Sequence, residues 1–342
     1  MTLTPATFPA ALTAATAGSV LELGPGNYGN LVIYNRTFPD RLTIKAADPE
    51  APPYFNMVLI RGTVGVSLEG VAVAFQPTAM TRENQNIVFL DGCKQVTVSA
   101  CQISSGMAVN GIPETATVAD ASGNVLGWPV GRAVYMQLCD GVEISDCTIW
   151  NVQRAIAFYK ALNVSVLRNI IRNFRRTAIL GDCSNLLIEG NELGPSKPWR
   201  WGQTPIGDHG DYIALFLPTG RPLMTNVRIV DNITFNVPEV AILGVTLSGI
   251  DGFEVLTNLI EGCDHQGIVI TAANGIVSGN VLPGRGGILI RSPSSEIHVS
   301  DNLAAFVEDR LKGSTGNTIT APRKLVSDRR MAGGRRVIQT TT

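Results

Sequence analysis

The stretch VSVLRNIIRNFRRTAILGDCSNLLIEGNEL (residues 164–193) contains two aligned copies of one short motif. The first copy is VSVLRNII (164–171) and the second is LLIEGNEL (186–193). Each copy opens with alternating apolar residues, a pattern typical of a short half-buried strand. The sixth position of each copy is an asparagine, Asn169 and Asn191. The stretch therefore predicts a β-structured repeat.

The same motif recurs along most of the chain. Further copies are VTVSACQI (96–103), VEISDCTI (142–149), VRIVDNIT (227–234), FEVLTNLI (253–260), GIVSGNVL (275–282) and IHVSDNLA (297–304), with a weaker copy in VSLEGVAV (66–73). Their sixth positions are Cys101, Cys147, Asn169, Asn191, Asn232, Asn258, Asn280 and Asn302. The steps in numbering between these positions are 46, 22, 22, 41, 26, 22 and 22, so two long insertions interrupt a basic period of 22.

In each repeat a second short strand follows a bend, and a third strand starts later, as in AILGDC (178–183). Three strands within one such period leave no room for a crossover helix. The arrangement predicts a coil that stacks on itself, which is a parallel β-helix. The recurring asparagine tolerates the left-handed backbone of a tight corner, and stacked amides can bond to the copies above and below.

These repeats resemble the right-handed parallel β-helix superfamily of pectate lyases, polysaccharide depolymerases and phage tailspikes. The opening PATFPAALTAATAGSVLELGPGNYGNLVI (5–33) resembles the helix and first strand that close the end of such solenoids. The resemblance implies an all-β fold, a single-stranded right-handed parallel β-helix with an N-terminal capping helix and two long loop insertions. The expected organisation is a cap over 1–17, the β-helix over 18–305 and a C-terminal extension with a basic tail over 306–342.

The composition excludes several classes of function. The chain has 342 residues with 27 basic and 28 acidic side chains, which does not support a nucleic-acid or membrane-surface binder. No apolar run is long enough to cross a bilayer, and the opening MTLTPATFPAALTAATAGSV lacks the features of a secretory signal. The six cysteines form no CxxC pair, so buried free thiols are predicted, with disulfides as the alternative. No metal or other cofactor is predicted.

Both insertions, at about 106–131 and 194–211, fall between the second and third strands of a repeat. The two insertions are expected to lie three rungs apart, where a rung is one coil of the solenoid. At the usual strand spacing this separation is about 14 Å. Aromatic faces and forked guanidinium groups suit sugar rings and carboxylates, so a sugar-binding cleft is predicted there. The alternative is that the tryptophans anchor the loops and the arginines form a solvated edge. The candidate side chains are Trp128, Trp150, Trp199, Trp201, Arg154 and Arg176, with Arg132 at or near the same corner.

Acidic residues and histidines precede several third strands. Neighbouring rungs are expected to bring Asp211 and Glu239 to about 5 Å, and Asp211 and Asp264 to about 10 Å. These separations are near those of glycosidase carboxylate pairs. The alternative is that the residues are ordinary corner residues. The catalytic candidates are Asp208, His209, Asp211, Glu239 and Asp264, and His265 and Arg285 are added as substrate-binding candidates.

The third strands are apolar on both faces, as in YIALFL (212–217). One face must point out of the coil, and such a strip is rarely left in water. Either the insertions or another subunit are expected to cover it. The resemblance to tailspikes implies a homotrimer. The basic segment 321–342 is expected to be a disordered tail or an arm that docks on an acidic neighbour.

The leading hypothesis is a phage-type or prophage-type β-helix spike that binds a bacterial surface polysaccharide and, as a further step, depolymerises it. Its expected location is the virion, since no secretory signal is seen. The first alternative is a free polysaccharide lyase or glycoside hydrolase that is secreted. The second is a non-catalytic structural virion protein. The expected partners are therefore a bacterial polysaccharide, further copies of the chain or other virion proteins, with no nucleic acid and no membrane insertion.

Overall fold

The computed structural model describes residues 2–77, 81, 84–106, 129–198, 208, 210–235, 243–263, 266–309, 316–320, 324–330 and 336–341. One helix, α1 (Phe8–Ala14), precedes the strands. The strands in chain order are β1 (Val20–Leu23), β2 (Asn30–Tyr34), β3 (Thr37–Ala46), β4 (Tyr54–Phe55), β5 (Met57–Arg61), β6 (Val64–Glu69), β7 (Ala72–Phe75), β8 (Asn86–Asp91), β9 (Lys94–Ser99), β10 (Gln102–Ser105), β11 (Arg132–Gln137), β12 (Asp140–Ser145), β13 (Thr148–Leu167), β14 (Ile170–Glu189), β15 (Glu192–Leu193), β16 (Asp211–Phe216), β17 (Met224–Val230), β18 (Ile233–Thr234), β19 (Leu243–Leu256), β20 (Leu259–Ile260), β21 (Gln266–Ser278), β22 (Gly287–Ile290), β23 (Ser295–Ser300), β24 (Val307–Asp309), β25 (Thr318–Ile319), β26 (Lys324–Arg330) and β27 (Arg336–Thr341).

Strands β1 to β25 stack in parallel, each on its equivalent one turn away, and form three long sheets. The first sheet holds β1, β3, β6, β9, β12, β17, β23 and β25, with the last parts of β13, β14, β19 and β21. The second sheet holds the short strands β4, β7, β10, β15, β18 and β20, with the first parts of β13 and β14. The third sheet holds β2, β5, β8, β11, β16, β22 and β24, with the remaining parts of the long strands. The predicted right-handed parallel β-helix is confirmed.

The recurring asparagines form one buried column at the corner between the first and second sheets. The Oδ1 atom of Asn191 accepts hydrogen bonds from the backbone nitrogen and the Nδ2 atom of Asn169, each at 2.9 Å. Asn232 accepts the same two bonds from Asn191. The pattern continues through Asn258 and Asn280 to the last copy. The predicted amide column is therefore present, and it satisfies polar groups that the stacked corners bury.

The left-handed residue of this corner is the one before the asparagine, and the sequence-based assignment was wrong on this point. Positive φ angles occur at Arg168 (52°), Gly190 (66°) and Asp231 (54°). The physical reason is that the asparagine side chain points into the coil. The preceding residue therefore takes the left-handed backbone conformation that turns the chain. Arg168 and Asp231 accordingly have exposed side chains.

The N-terminal end of the solenoid is closed by α1, as predicted. The Phe8 ring lies 5.4 Å from that of Tyr28 and 5.8 Å from that of Phe55, measured between centroids. The Tyr28 hydroxyl donates to the Leu3 carbonyl at 2.7 Å. The cap therefore adds an aromatic cluster to the end of the core, where strand edges would otherwise be exposed.

At the other end, the parallel stack extends beyond the predicted limit at residue 305. Strand β24 pairs with β22, and β25 pairs with β23. The basic segment, predicted to be a disordered tail or a docking arm, then forms an antiparallel hairpin of β26 and β27.

All six cysteines are free and buried, as predicted. The Sγ atom of Cys93 donates to the Ile60 carbonyl at 3.1 Å, and that of Cys147 donates to the Val98 carbonyl at 3.4 Å. Burial raises the pKa of the Cys183 thiol to about 12. Burial also raises the pKa of the Cys263 thiol. A raised pKa lowers the thiolate fraction, and the thiolate is the reactive species.

Because all six thiols are buried, we expect the native protein to react very slowly with a thiol reagent at pH 8, whereas the unfolded chain should release all six thiols within minutes. Labelling followed by absorbance with and without denaturant measures this. Thr225→Cys, at an exposed position, provides the positive control. Fast reaction of any native thiol in the parent protein would contradict the packing described.

Part of the outward face of the third sheet is buried by the chain itself. Ala157, Ala214, Val269 and Leu289 occupy one outward row and are all buried. Leu180 and Thr246 in the same row are half-buried, however, and Phe216 is 46% exposed. A second subunit is therefore not needed to bury the buried positions of this row, which was one of the two predicted explanations.

Candidate functional site

Both insertions leave the solenoid at the same corner, as predicted. The first lies between β10 and β11, and the second between β15 and β16. The register Arg132–Arg154–Thr177–Asp211 spans three steps, so the ends of the insertions stand about 14 Å apart at the usual strand spacing. The outward surface between them is the candidate site.

Three arginines lie along this surface and are called the arginine row: Arg132, Arg154 and Arg176. Arg132 and Arg154 are direct register partners. In the next rung Arg154 pairs with Thr177, although Val152 pairs with Phe174, so β14 holds one extra residue here. This β-bulge displaces Arg176 by one position from the row and turns its neighbour Arg175 inward.

Arg175 is fully buried and joins the ends of both insertions. Its Nε atom donates to Oδ2 of Asp208 at 2.6 Å, and its Nη2 atom donates to Oδ1 at 3.2 Å. Its Nη1 atom donates to the carbonyl of Pro129 at 3.3 Å. Pro129 lies near the end of the first insertion and Asp208 near the end of the second, so one guanidinium contacts both ends.

Asp208 was predicted as a catalytic carboxylate, and its surroundings argue against that role. Its side chain is 0% exposed, and Arg176 also donates to it, from Nε to Oδ1 at 2.7 Å. Both oxygens are thus held by guanidinium groups away from solvent. This geometry suits a structural ion pair, since a proton-transferring group needs access to substrate.

Asp211 lies on the outward corner of the third sheet, one rung beyond Thr177. It is 9% exposed, and the Thr246 hydroxyl donates to its Oδ1 atom at 3.5 Å. Its register partner on the next rung is Leu243. The predicted proximity of Glu239 to Asp211 stays a prediction. Glu239 itself lies outside the described residues.

The other candidates divide into three groups. Trp150 is half-buried on the second sheet, in register with Ser104 and Arg172, across the corner from the arginine row. Arg285 is exposed in a turn before β22, about five rungs or 24 Å from Arg154. Outside the described residues lie His209, Glu239, Asp264, His265, Trp128, Trp199 and Trp201.

The sequence analysis missed an aromatic sandwich beside the row. The rings of Phe89 and Tyr135 stack with centroids 5.5 Å apart and an interplanar angle of 20°. The Arg132 guanidinium carbon lies 4.4 Å from the centroid of the Tyr135 ring.

The sequence analysis also missed Arg175, although a signal was available. Aligning WNVQRA (150–155) with RNFRRTA (172–178) shows the one extra residue that makes the bulge.

The arginine row concentrates positive charge in a partly buried place. Burial, followed by repulsion from Arg176 and Arg132, lowers the pKa of Arg154 to about 10. The side chain still carries its charge at neutral pH. The Nε atoms of Arg132 and Arg154 are buried and have no hydrogen-bond partner in the described part of the chain.

Comparison with known proteins agrees with this fold. The family model described as "Right handed beta helix region" matches residues 60–195. No curated protein is significantly similar in sequence. Among solved structures, a periplasmic alginate epimerase shares 15% identity at a TM-score of 0.55, over 90% of this chain and 82% of its own.

Two further solved structures are similar over almost their whole length. A mannuronan C-5 epimerase A-module from Azotobacter vinelandii has 13% identity and a TM-score of 0.52, covering 93% of this chain and 94% of its own. An alginate lyase from Paenibacillus has 8% identity and a TM-score of 0.50, covering 92% and 96%. At these identities the likeness concerns the fold. The chain is a right-handed parallel β-helix protein.

Two searches of the described residues were negative. None of the helices there is long and apolar enough to span a bilayer. The same residues contain no group of three or more His, Cys, Asp or Glu side chains arranged to hold a metal ion.

Proposed function

We propose that this protein binds a polysaccharide along the outward face of the third sheet, between the ends of the two insertions. The observation that carries the proposal is the arginine row, with Arg132 and Arg154 in register and Arg176 beside them. Side chains on adjacent rungs repeat at about 4.8 Å, close to the length of one sugar residue in an extended chain. A rigid solenoid thus presents donors at intervals that suit a polymer.

The named activities of the similar structures support a carbohydrate ligand. They are a periplasmic alginate epimerase, a mannuronan C-5 epimerase module and an alginate lyase, each matched over at least 82% of its own length. The finer proposal is a phage-type or prophage-type spike component that binds a bacterial surface polysaccharide and is located in the virion as a homo-oligomer. Its support is the resemblance of the sequence repeats to those of tailspikes.

Cleavage of the bound polymer is the second candidate function. Asp211 favours it, because this carboxylate stands on the same outward corner as the arginine row, two rungs or about 10 Å from Arg154. A carboxylate beside bound sugar is the group that general acid–base catalysis requires.

The test is to incubate the purified chain with a panel of bacterial capsules and lipopolysaccharides, and to measure binding by calorimetry and new reducing ends by a colorimetric assay. We expect binding to at least one polymer. If the chain is a depolymerase, products form and Asp211→Asn lowers their rate by about 100-fold or more, without loss of binding.

A lyase would also give products that absorb as unsaturated uronates, whereas a hydrolase would not. Asp146→Asn, which alters an exposed ion pair at the corner between the first and second sheets, is the matched control and should leave both readouts unchanged. Absence of binding across the panel would refute the proposal and favour a purely structural virion protein.

A further inference from the structure

We infer that two copies of this chain associate side by side and antiparallel, through the corner of the solenoid between the third and first sheets. The inference goes beyond the proposed function and is independent of polysaccharide binding, because the insertions leave at another corner, between the second and third sheets. It depends on an apolar ridge, on a groove that continues the ridge, and on the symmetry that relates the two.

The apolar ridge consists of large side chains that lie on this corner and remain exposed. Their exposed fractions range from 37% to 58%, and they belong to the coils of β11, β13 and β16. A group of exposed apolar side chains on one surface is typical of a protein–protein interface. The ridge residues are Leu138, Tyr159, Leu162, Phe216 and Leu223.

The ridge carries little unpaired charge. Arg221 precedes β17, and its Nη2 atom lies 2.9 Å from Oδ2 of Asp182 in the coil of β14. The Arg221 guanidinium carbon also lies 5.8 Å from the centroid of the Tyr159 ring, so this side chain extends across the β14 coil and connects the two parts of the ridge. The remaining charge is Lys160, whose Nζ atom lies 5.2 Å from the same centroid.

The corner groove continues the ridge along the same corner, over the next three coils. Its volume is about 410 Å³, and Leu223 of the ridge lines one end of it. Most of the remaining lining comes from small residues of the β19, β21 and β23 coils, among them Gly249, Ala273 and Ser294. Because these side chains are short, large side chains of a neighbouring molecule can enter the groove.

The ridge and the groove are placed symmetrically along the solenoid. The β11 coil lies three rungs before the β16 coil, and the β22 coil lies three rungs after it. A two-fold axis that passes the corner at the β16 coil, perpendicular to the solenoid, therefore places the ridge of each copy in the groove of the other. Leu138 then faces Pro293 of the second copy, Leu162 faces Ala273, and Phe216 meets its own counterpart.

Parallel copies fit this corner poorly, whether two or three of them associate. Each coil would face the same coil of its neighbour, so the two grooves would face one another and stay empty. Lys160 would also approach Lys160 of the neighbour, and facing like charges are unfavourable. In the antiparallel arrangement Lys160 faces the β21 coil, where the corner residue is the uncharged Ala272. This self-complementary shape identifies a second copy as the occupant.

Sedimentation velocity over a range from about 1 to 100 µM measures the association. We expect the sedimenting mass to double as the concentration rises. Leu138→Asn removes a ridge side chain and suits the φ of 54° at this position. Combined with Leu162→Thr, it should weaken association by about tenfold or more. Ile233→Thr, at a 43% exposed position on the second sheet, is the matched control and should have no effect.

Paired cysteine substitutions test the orientation of the two copies. A mixture of the Leu138→Cys and Ser292→Cys variants should form a disulfide between the copies under mild oxidation, because the two positions face each other and both are exposed. Leu138→Cys alone should not cross-link, because positions 138 of the two copies are six rungs or about 29 Å apart. The native cysteines are buried and do not compete.

The outcomes decide the inference separately from the proposed function. A monomer at every concentration would overturn it and leave the corner to a different partner. A dimer that the ridge variants do not weaken would also overturn it. A trimer, or cross-linking of Leu138→Cys alone, would exclude the antiparallel arrangement. Polysaccharide binding is measured on the same variants and should be retained, and circular dichroism shows whether each variant is folded.

Discussion

Replacing Asp208 by alanine is expected to lower the free energy of unfolding by about 3–5 kcal/mol, because it leaves the buried Arg175 guanidinium without its counter-charge. Both side chains are fully buried, and the Nε–Oδ2 distance is 2.6 Å. The same change releases Arg176, so the ends of the two insertions lose a common attachment. Urea unfolding followed by circular dichroism measures the loss, and limited proteolysis tests the insertions.

The control for this prediction is Asp146→Ala, which breaks the exposed pair with Arg168 and should cost little. The double variant Arg175→Met with Asp208→Leu should recover much of the lost stability, since it removes both buried charges together. A loss below about 1 kcal/mol for Asp208→Ala would contradict the view that Asp208 is a structural ion-pair partner. It would return Asp208 to the catalytic candidates.

Replacing Asn232 by alanine is expected to cost about 2–4 kcal/mol, because several buried groups lose their partners together. Its Oδ1 atom accepts two hydrogen bonds from Asn191, and its Nδ2 atom donates to Asn258 and to the carbonyls of Ile188 and Val230. The amide column is interrupted in its middle, so rungs on both sides are affected. The midpoint of urea unfolding reports the change.

Two further variants serve as comparisons for the Asn232→Ala prediction. Asn185→Ala removes an exposed amide that donates to Asn163 at 2.9 Å, and it should cost only about 1 kcal/mol, because alanine adopts the φ of 53° at this position less readily than asparagine. Asn232→Cys should cost less than Asn232→Ala, because Cys101 and Cys147 already occupy the same column. Equal effects of alanine at positions 185 and 232 would show that the column adds no more stability than a surface amide.

The spacing of the motif predicted much of the fold because the solenoid stacks in register. When every coil has the same length, a constant period along the chain places Asn169 and Asn191 on neighbouring rungs. The corner position of the insertions followed for the same reason, since an insertion between strands does not disturb the stacking of the strands themselves. The burial of the cysteines followed from their place in the repeat.

The candidate site was predicted less completely. Arg154 and Arg176 were identified because a regular period placed them at one corner. The residue opposite Asp211, which is Leu243, was not identified, because the spacing of the repeat does not reveal where pairing resumes after β18. The role of Asp208 could not be read from its neighbours in the chain, because the partner that buries it is Arg175, 33 residues away in sequence.

The sequence by itself determined the coil, its three sheets, the amide column and the corner at which the insertions leave, because each follows from a repeated spacing along the chain. Only the tertiary structure decided that a bulge turns Arg175 inward, that Asp208 is its buried partner, and that Tyr135 and Phe89 hold Arg132. These contacts join residues from different coils and depend on one local irregularity. A pattern averaged over repeats carries no information about such an exception.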